Sequence, residues 1–302
     1  MRSRSISLFA LLLLAALVTG LVWLVYAPIR QEKLNRALIA AIKNNDTQKA
    51  LALLADGADP NSRDEPPQHL SLWRLLLDDL RGKRPALSDA PTALFLACSG
   101  SQRDTQPPDN PILVKALLDR RAAVEVPGYS PLLAAAYWDN TAVSTLLIEK
   151  GAKVNFNPAD TDGNTPLLYA AEHSNEALIR LLVSRGADVN TVFTWDFPGR
   201  KSWYETPLMA AQWTNVDDPA ITDLLLSRGA KVNGPDTSQS HRKWTPLIEA
   251  IRFGRSRSVR ILLQHGADVN LATRDGDTAL KIAMQAGDKQ IVQMLKQAGA
   301  KK

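Results

Sequence analysis

Cysteine occurs once in 302 residues, so no disulfide can form within the chain and no cysteine framework marks its compartment. The four histidines, His69, His173, His241 and His265, show no metal-ligand spacing. Glycine-rich phosphate loops and strand-turn nucleophile motifs are absent as well. The adjacent pairs Asp78-Asp79 and Asp217-Asp218 read as solvated carboxylates without the opposed geometry of a glycosidase. Cys98 ends the apolar run Ala93-Leu94-Phe95-Leu96-Ala97, which marks it as a small buried thiol and not a nucleophile. His265 stands before Gly266, where an imidazole can interact with terminal helix carbonyls. These gaps argue against an enzyme, a cofactor, a metal and a small-molecule substrate. The net charge of +5 includes Arg2 and Arg4, leaving about +3 on the body. No concentrated basic stripe results, so nucleic acid is not an expected partner.

Long apolar runs are missing with one exception. Ile6 to Ala27 carries no charge, which exceeds the ~18 residues of a membrane-span candidate and the ~7–15 of a cleavable signal core. Trp23 and Tyr26 lie near its end, as interfacial aromatics do. Val25-Tyr26-Ala27 offers a small-residue cleavage site, but Pro28 follows it unfavourably. The favoured reading is an uncleaved single-pass anchor at 6–27 behind a short basic N-terminus at 1–5; the alternative is a removed signal peptide. Orientation is open in the residues themselves. Arg30, Lys33, Arg36 and Lys43 after the span pull the body toward the cytoplasm. The short basic start before an apolar run favours export, and export is the reading adopted here.

What the sequence has in abundance is self-similarity. Gly57-Ala58-Asp59-Pro60-Asn61, Gly151-Ala152-Lys153-Val154-Asn155, Gly186-Ala187-Asp188-Val189-Asn190, Gly229-Ala230-Lys231-Val232-Asn233 and Gly266-Ala267-Asp268-Val269-Asn270 repeat one phrase, and Gly299-Ala300 begins it again. Thr-Pro-Leu or a variant stands 21 residues before most copies. A period of ~33 residues is the mark of a stacked solenoid. In the clearest unit, 162–190, Thr165 is placed to cap a helix with Pro166 in its first position. Leu167, Ala170 and Ala171 share one face; Ala177, Leu178, Leu181 and Leu182 give the second helix its apolar spacing. Gly186 suits a left-handed stop, Val189 turns back to the core, and Asn190 can satisfy turn backbone groups.

These phrases resemble the ankyrin repeat, over nearly everything after residue 31. The resemblance implies an all-α solenoid of about seven helix-turn-helix units with β-turn fingers, preceded here by one N-terminal transmembrane helix. The repeat domain, 31–302, would hold units near 31–61, 92–126, 130–155, 165–190, 206–233, 245–270 and 278–302. The second is degraded: Arg121-Ala122-Ala123-Val124-Glu125 replaces the glycine phrase, although Leu113, Leu117 and Leu118 keep the helix pattern.

Departures from the repeat carry the functional reading. An insertion at 62–90 bears Leu70, Trp73, Leu76, Leu77 and Leu80 at helical spacing, which predicts an extra amphipathic helix. Ser99 to Asn110 reads as a surface loop. Thr191 to Glu205 and Gly234 to Trp244 enlarge two fingers. Counting from each Thr-Pro-Leu phrase, Tyr137 and Trp138, Glu172 and His173, Trp213 and Thr214, and Arg252 and Phe253 fall at equivalent first-helix ends. The resemblance puts them on the family's concave recognition face, with Trp195, Phe197, Arg200, Trp203, Tyr204, Arg242 and Trp244 on adjoining fingers. These rings could equally pack on one another and stiffen the turns. Together, aromatic and Arg side chains on one edge suit a protein-binding surface.

The expected function is thus a protein-binding module held to a membrane through residues 6–27, its body on the exported side of a bacterial inner membrane. Likeness to small exported bacterial ankyrin proteins suggests an immunity protein against a secreted toxin such as a phospholipase. The rivals are a periplasmic scaffold that assists an enzyme such as a catalase, a soluble periplasmic form after cleavage, and a cytoplasm-facing adaptor.

Overall fold

The computed structural model describes residues 2–65, 90–99, 110–155, 164–195, 203–214, 217–235 and 244–301, with backbone alone at 2–11, 21, 22, 24, 25, 195, 203 and 204. Its helices come in consecutive pairs. α1 (Arg2–Lys43) precedes α2 (Thr47–Ala55), and α3 (Ala93–Ser99) precedes α4 (Pro111–Asp119). The next pairs are α5 (Pro131–Tyr137) with α6 (Thr141–Glu149), and α7 (Pro166–Glu172) with α8 (Glu176–Ser184). Then come α9 (Pro207–Ala210) with α10 (Pro219–Ser227), α11 (Pro246–Arg252) with α12 (Ser256–Gln264), and α13 (Ala279–Ala286) with α14 (Lys289–Gln297). The chain divides into two compact units, 1–123 and 124–302.

One device starts the first helix of six pairs. The hydroxyl of Thr92, Ser130, Thr165, Thr206, Thr245 and Thr278 accepts the backbone N–H three residues on, at 3.1 to 3.4 Å. Proline occupies the following position in four of them, where its missing N–H costs nothing. Asparagine or aspartate caps most second helices. In α8 the Asn175 cap puts Leu178, Ile179 and Leu182 on the buried stripe. Ala177 is exposed and Leu181 half-buried, so the inward face lies slightly off the one expected from spacing. The first pair has no such start: α1 runs unbroken to Lys43 and buries Leu38, Ile39, Ala41 and Ile42 near Ala50 and Leu54 of α2.

The architecture is mostly helical, with a correction to the all-α expectation. β1 (Phe193–Trp195) and β2 (Trp203–Glu205) form an antiparallel hairpin in which Phe193 faces Glu205, Thr194 faces Tyr204, and Trp195 faces Trp203. Bridges Arg63–Thr92, Val126–Tyr129 and Ala272–Thr278 recur just before other first helices. The first shows how the 62–90 insertion leaves and rejoins the body. Asp64 N donates to Pro91 O (2.9 Å) and Ala93 N to Ser62 O (2.8 Å), closing its two ends like a finger. The expected helix with Leu70, Trp73, Leu76, Leu77 and Leu80 lies outside the described residues, as does most of the 99–110 loop.

The expected N-terminal membrane span is not supported by the described residues, although a helix does run through 6–27. Among the described residues, no helix is long and apolar enough to cross a membrane. Side chains 6–11, 21, 22, 24 and 25 of the expected span lie outside them.

Asparagine at the end of the glycine phrase does more than tidy its own turn. Asn155 Nδ2 donates to Gly186 O and its Oδ1 accepts from Asp188 N, both at 2.9 Å, in the next repeat. Asn190 makes the same two bonds to Gly229 O and Lys231 N. Asn61 holds Arg121 O and Ala123 N; Asn233 and Asn270 accept from Asp268 N and Lys301 N. At the first junction two residues one helical turn apart share the task. Gln31 Nε2 donates to Gly57 O, and Asn35 Oδ1 accepts from Asp59 N.

The degraded unit departs from this scheme at both ends of its phrase. Arg121 takes the glycine position with φ +66°, a left-handed conformation that strains a side chain-bearing residue. Glu125 replaces asparagine: Oε1 accepts from Lys153 N (2.8 Å), while buried Oε2 has no hydrogen-bond partner among the described residues. Burial raises the Glu125 pKa, against the opposing pull of the Lys153 backbone hydrogen bond and charge. A carboxyl raised in the fold contributes stability fully present below its unfolded value and lost as pH rises through its folded value.

Two outcomes follow. Asn190→Ala removes both bonds to the next turn and lowers the melting temperature by ~4–8 °C, at about 1 kcal/mol per bond; Asp188→Ala, which loses a local bond, has the smaller effect. Arg121→Gly combined with Glu125→Asn raises the melting temperature at neutral pH by a few degrees (~2–4 °C per kcal/mol), and the gain shrinks in melts run at progressively lower pH through the carboxyl range.

Candidate functional site

First helices of the second unit pack in chain order, α5 on α7, α7 on α9, α9 on α11 and α11 on α13. Their C-terminal ends therefore line one edge. Tyr137, Glu172 and Arg252 are the last residues of α5, α7 and α11, and Trp138, His173 and Phe253 are their C-caps. α9 breaks the pattern by ending at Ala210, so Trp213 and Thr214 lie beyond the helix and not at its tip. Buried Gln212 fills the gap, donating to Leu208 O (3.0 Å) and Thr222 Oγ1 (3.1 Å).

At repeats three and four the edge is aromatic. The Tyr137 ring meets Trp138 edge-on at 5.1 Å and Tyr169 edge-on at 5.2 Å. Tyr137 is nevertheless 51% exposed. His173 Nε2 lies 2.8 Å from Tyr137 O; a carbonyl only accepts, so Nε2 carries the proton. Glu172 is partly withdrawn from water and its pKa is raised, chiefly by burial, with His173 opposing. The Tyr169 phenol is pushed up to about 12, first by burial and then by Glu172 and Tyr137.

Repeat six is arranged differently. The Arg252 guanidinium stacks over Trp244 at 3.8 Å, approaches the Phe253 ring at 5.5 Å, and pairs with fully buried Glu249 at 3.0 Å. Trp244 is thus a packing platform for Arg252. Phe253 remains 40% exposed. Trp213 is half-buried, and its Nε1 has no acceptor among the described residues.

Of the finger candidates, Trp195, Trp203 and Tyr204 are placed by backbone on the hairpin, with Trp195 and Trp203 directly paired. Phe197, Arg200 and Arg242 lie outside the described residues.

Several expectations need correction. Asp217 is not merely solvated: its carboxylate accepts from Arg257 N (2.8 Å), Ser258 N (3.1 Å) and Ser258 Oγ (3.0 Å), capping α12 from the preceding repeat. The α12 N-cap is Arg255, whose side chain caps nothing and instead donates to the carbonyls of Gln212 and Thr214. Asp218 caps α10 through Ala220 N (2.9 Å). His265 pairs with Asp223 of the preceding repeat at 3.0 Å, in place of terminal carbonyls. Cys98 is buried, and burial pushes its thiol well above the usual range. Among the described residues no group of three or more His, Cys, Asp or Glu is placed to hold a metal.

Glu172 gives this edge a pH signature. Its folded pKa is raised, so its stabilising contribution is full below the unfolded value near 4.5 and lost as pH rises through the folded value. Glu172→Gln therefore melts higher than wild type at pH 7, with the difference closing toward pH 4. Spectrophotometric titration shows one tyrosine ionising near 12, absent in Tyr169→Phe.

A family model described as ankyrin repeats (3 copies) matches residues 108–193, 155–236 and 208–302, together more than half of the chain. The ankyrin repeat protein YahD of Escherichia coli (strain K12) is 35% identical over 85 residues, covering 26% of this chain and 40% of that protein. An ankyrin repeat-containing protein of Treponema pallidum (strain Nichols) is 36% identical over 95 residues, covering 32% and 30%. The human 2-5A-dependent ribonuclease is 33% identical over 89 residues, which cover 30% of this chain and 12% of the enzyme. The chain thus spans less than half the length of each of these relatives. With its capped helix pairs and glycine-phrase turns, it belongs to the ankyrin-repeat family, whose repeats form a protein–protein interaction module.

Proposed function

We propose that the protein grips a partner protein along the first-helix ends of its second unit, with Tyr137, Glu172, His173, Trp213 and Phe253 as contact residues. The carrying observation is exposure: Tyr137 and Phe253 keep 51% and 40% of their surface in water at corresponding ends of stacked helices. Large rings left open on a rigid edge suit an interface better than they suit a core. The Trp195–Trp203 hairpin leads into Thr206, the N-cap of α9, at the end of that helix away from this edge.

The proposal includes a membrane tether at 6–27, with the body on the exported side. In its support, the described part of α1 exposes Leu12, Leu13, Leu14, Leu17, Val18 and Trp23. So much apolar surface on one helix is costly in water and favourable in lipid. Within this reading, the partner is a secreted toxin that the protein inhibits.

Partner recovery tests the edge. Wild type captures the partner, and a Tyr137→Ala, Phe253→Ala double variant loses at least about tenfold in affinity, the scale of a two-residue hot spot. Both side chains are half-buried and Tyr137 packs on Trp138 and Tyr169, so capture is compared at a temperature where circular dichroism shows both proteins folded. Equal capture by the two proteins rejects the edge. A reporter fused after Lys302 reads the orientation, and activity only in the cytoplasm rejects export; cells carrying the toxin survive with the wild-type protein and not with the double variant.

A further inference from the structure

Repeats four and six use the same two positions of the first helix for chemistry, the fourth and seventh after the capping threonine. In repeat six these are Glu249 and Arg252, an i,i+3 pair whose guanidinium also covers Trp244. Carboxylate, cation and ring are all supplied by the chain. In repeat four the positions hold Tyr169 and Glu172, with the Tyr137 ring against Tyr169 at 5.2 Å. Rings and carboxylate are again present. Here, however, Glu172 has no hydrogen-bond or ion-pair partner among the described residues, and neighbouring His173 spends its Nε2 proton on Tyr137 O.

We propose that Tyr137, Tyr169 and Glu172 form a niche for one cationic side chain, Lys or Arg, presented by the protein partner. The inference rests on the edge being a protein-binding surface. A partly buried carboxylate without a counter-ion is costly, and a cation arriving beside it recovers that cost. Ring faces carry the negative end of the aromatic quadrupole, so the exposed Tyr137 ring favours the same visitor. The electrostatics agree: beyond burial, the Glu172 carboxylate resists ionisation of the Tyr169 phenol, so its negative potential reaches the rings. An anionic or purely apolar side chain would leave it uncompensated.

The test uses the full-length protein in a non-ionic detergent and fluorescently labelled hexalysine and hexaglutamate peptides, read by anisotropy. Hexalysine is expected to bind more tightly than hexaglutamate. Glu172→Gln should weaken hexalysine about tenfold, the scale of one charge-assisted hydrogen bond. Glu149→Gln, which removes the same charge from an exposed helix end, should bind as wild type does. Absence of hexalysine binding, unchanged binding by Glu172→Gln, or equal loss in both variants overturns the niche. Partner capture separates the two readings. If Glu172→Gln captures the partner as wild type does while the Tyr137→Ala, Phe253→Ala variant does not, the niche falls and the edge stands.

Discussion

At Asn155 and Asn190 one glycine turn is tied to the next by a single side-chain amide that donates to a glycine carbonyl and accepts from a backbone N–H two residues beyond, and Asn61, Asn233 and Asn270 make all or part of the same clasp on the following turn. Everything else in the stack depends on that spacing. Burial of residues such as Leu167, Leu178 and Leu182 supplies most of the energy, at about 1.5–3 kcal/mol for each fully buried leucine. Apolar faces alone, however, tolerate sliding and rotation. The amide clamp does not, because it recognises two backbone atoms at a fixed separation.

The clamp also explains where the chain can vary. The long departures at 62–90, 191–205 and 234–244 all lie between a clamping asparagine and the next capping hydroxyl. Length added there leaves through a finger whose base is already closed, as the Arg63–Thr92 bridge and the 193–205 hairpin show. Binding surface can therefore grow without disturbing the core. First-helix position seven varies for a related reason: it lies at the helix end that the core does not claim, and it works with position four one turn earlier, which is fully buried in repeat six. Tyr169 and Glu172 in one unit, and Glu249 and Arg252 in another, exploit the same freedom with opposite electrostatic results.

Most of the architecture was legible because its signals are local. Thr165 before Pro166 announces a helix start, Gly186 a helix stop, and the interval between them sets the unit. The hidden features were those whose partners sit a whole repeat away. Asn190 reads as a turn residue until the Gly229 carbonyl is found against it. Asp217 reads as a solvated acid until α12 proves to need a cap. A signal for the latter did exist: Arg255 stands where sister units carry Asn or Asp, and a helix start without an acceptor must borrow one. Tyr169 carries no signal of its own in the sequence, because Leu168 and Ala170 on either side belong to the apolar repeat pattern. Its significance came only with the ring of Tyr137, one repeat back.

The borrowed cap on α12 has an evolutionary consequence. Repeat families expand and contract by duplication or loss of whole units, which works when every unit carries its own start and stop signals. Asp217 and Arg255 divide one helix start between two units: the acceptor belongs to repeat five, and the cation that grasps the Gln212 and Thr214 carbonyls belongs to repeat six. Neither can be copied or deleted alone without leaving α12 uncapped or the short α9 loop unbraced. Repeats five and six therefore act as one structural unit, and the Trp213 and Phe253 parts of the edge belong to it together.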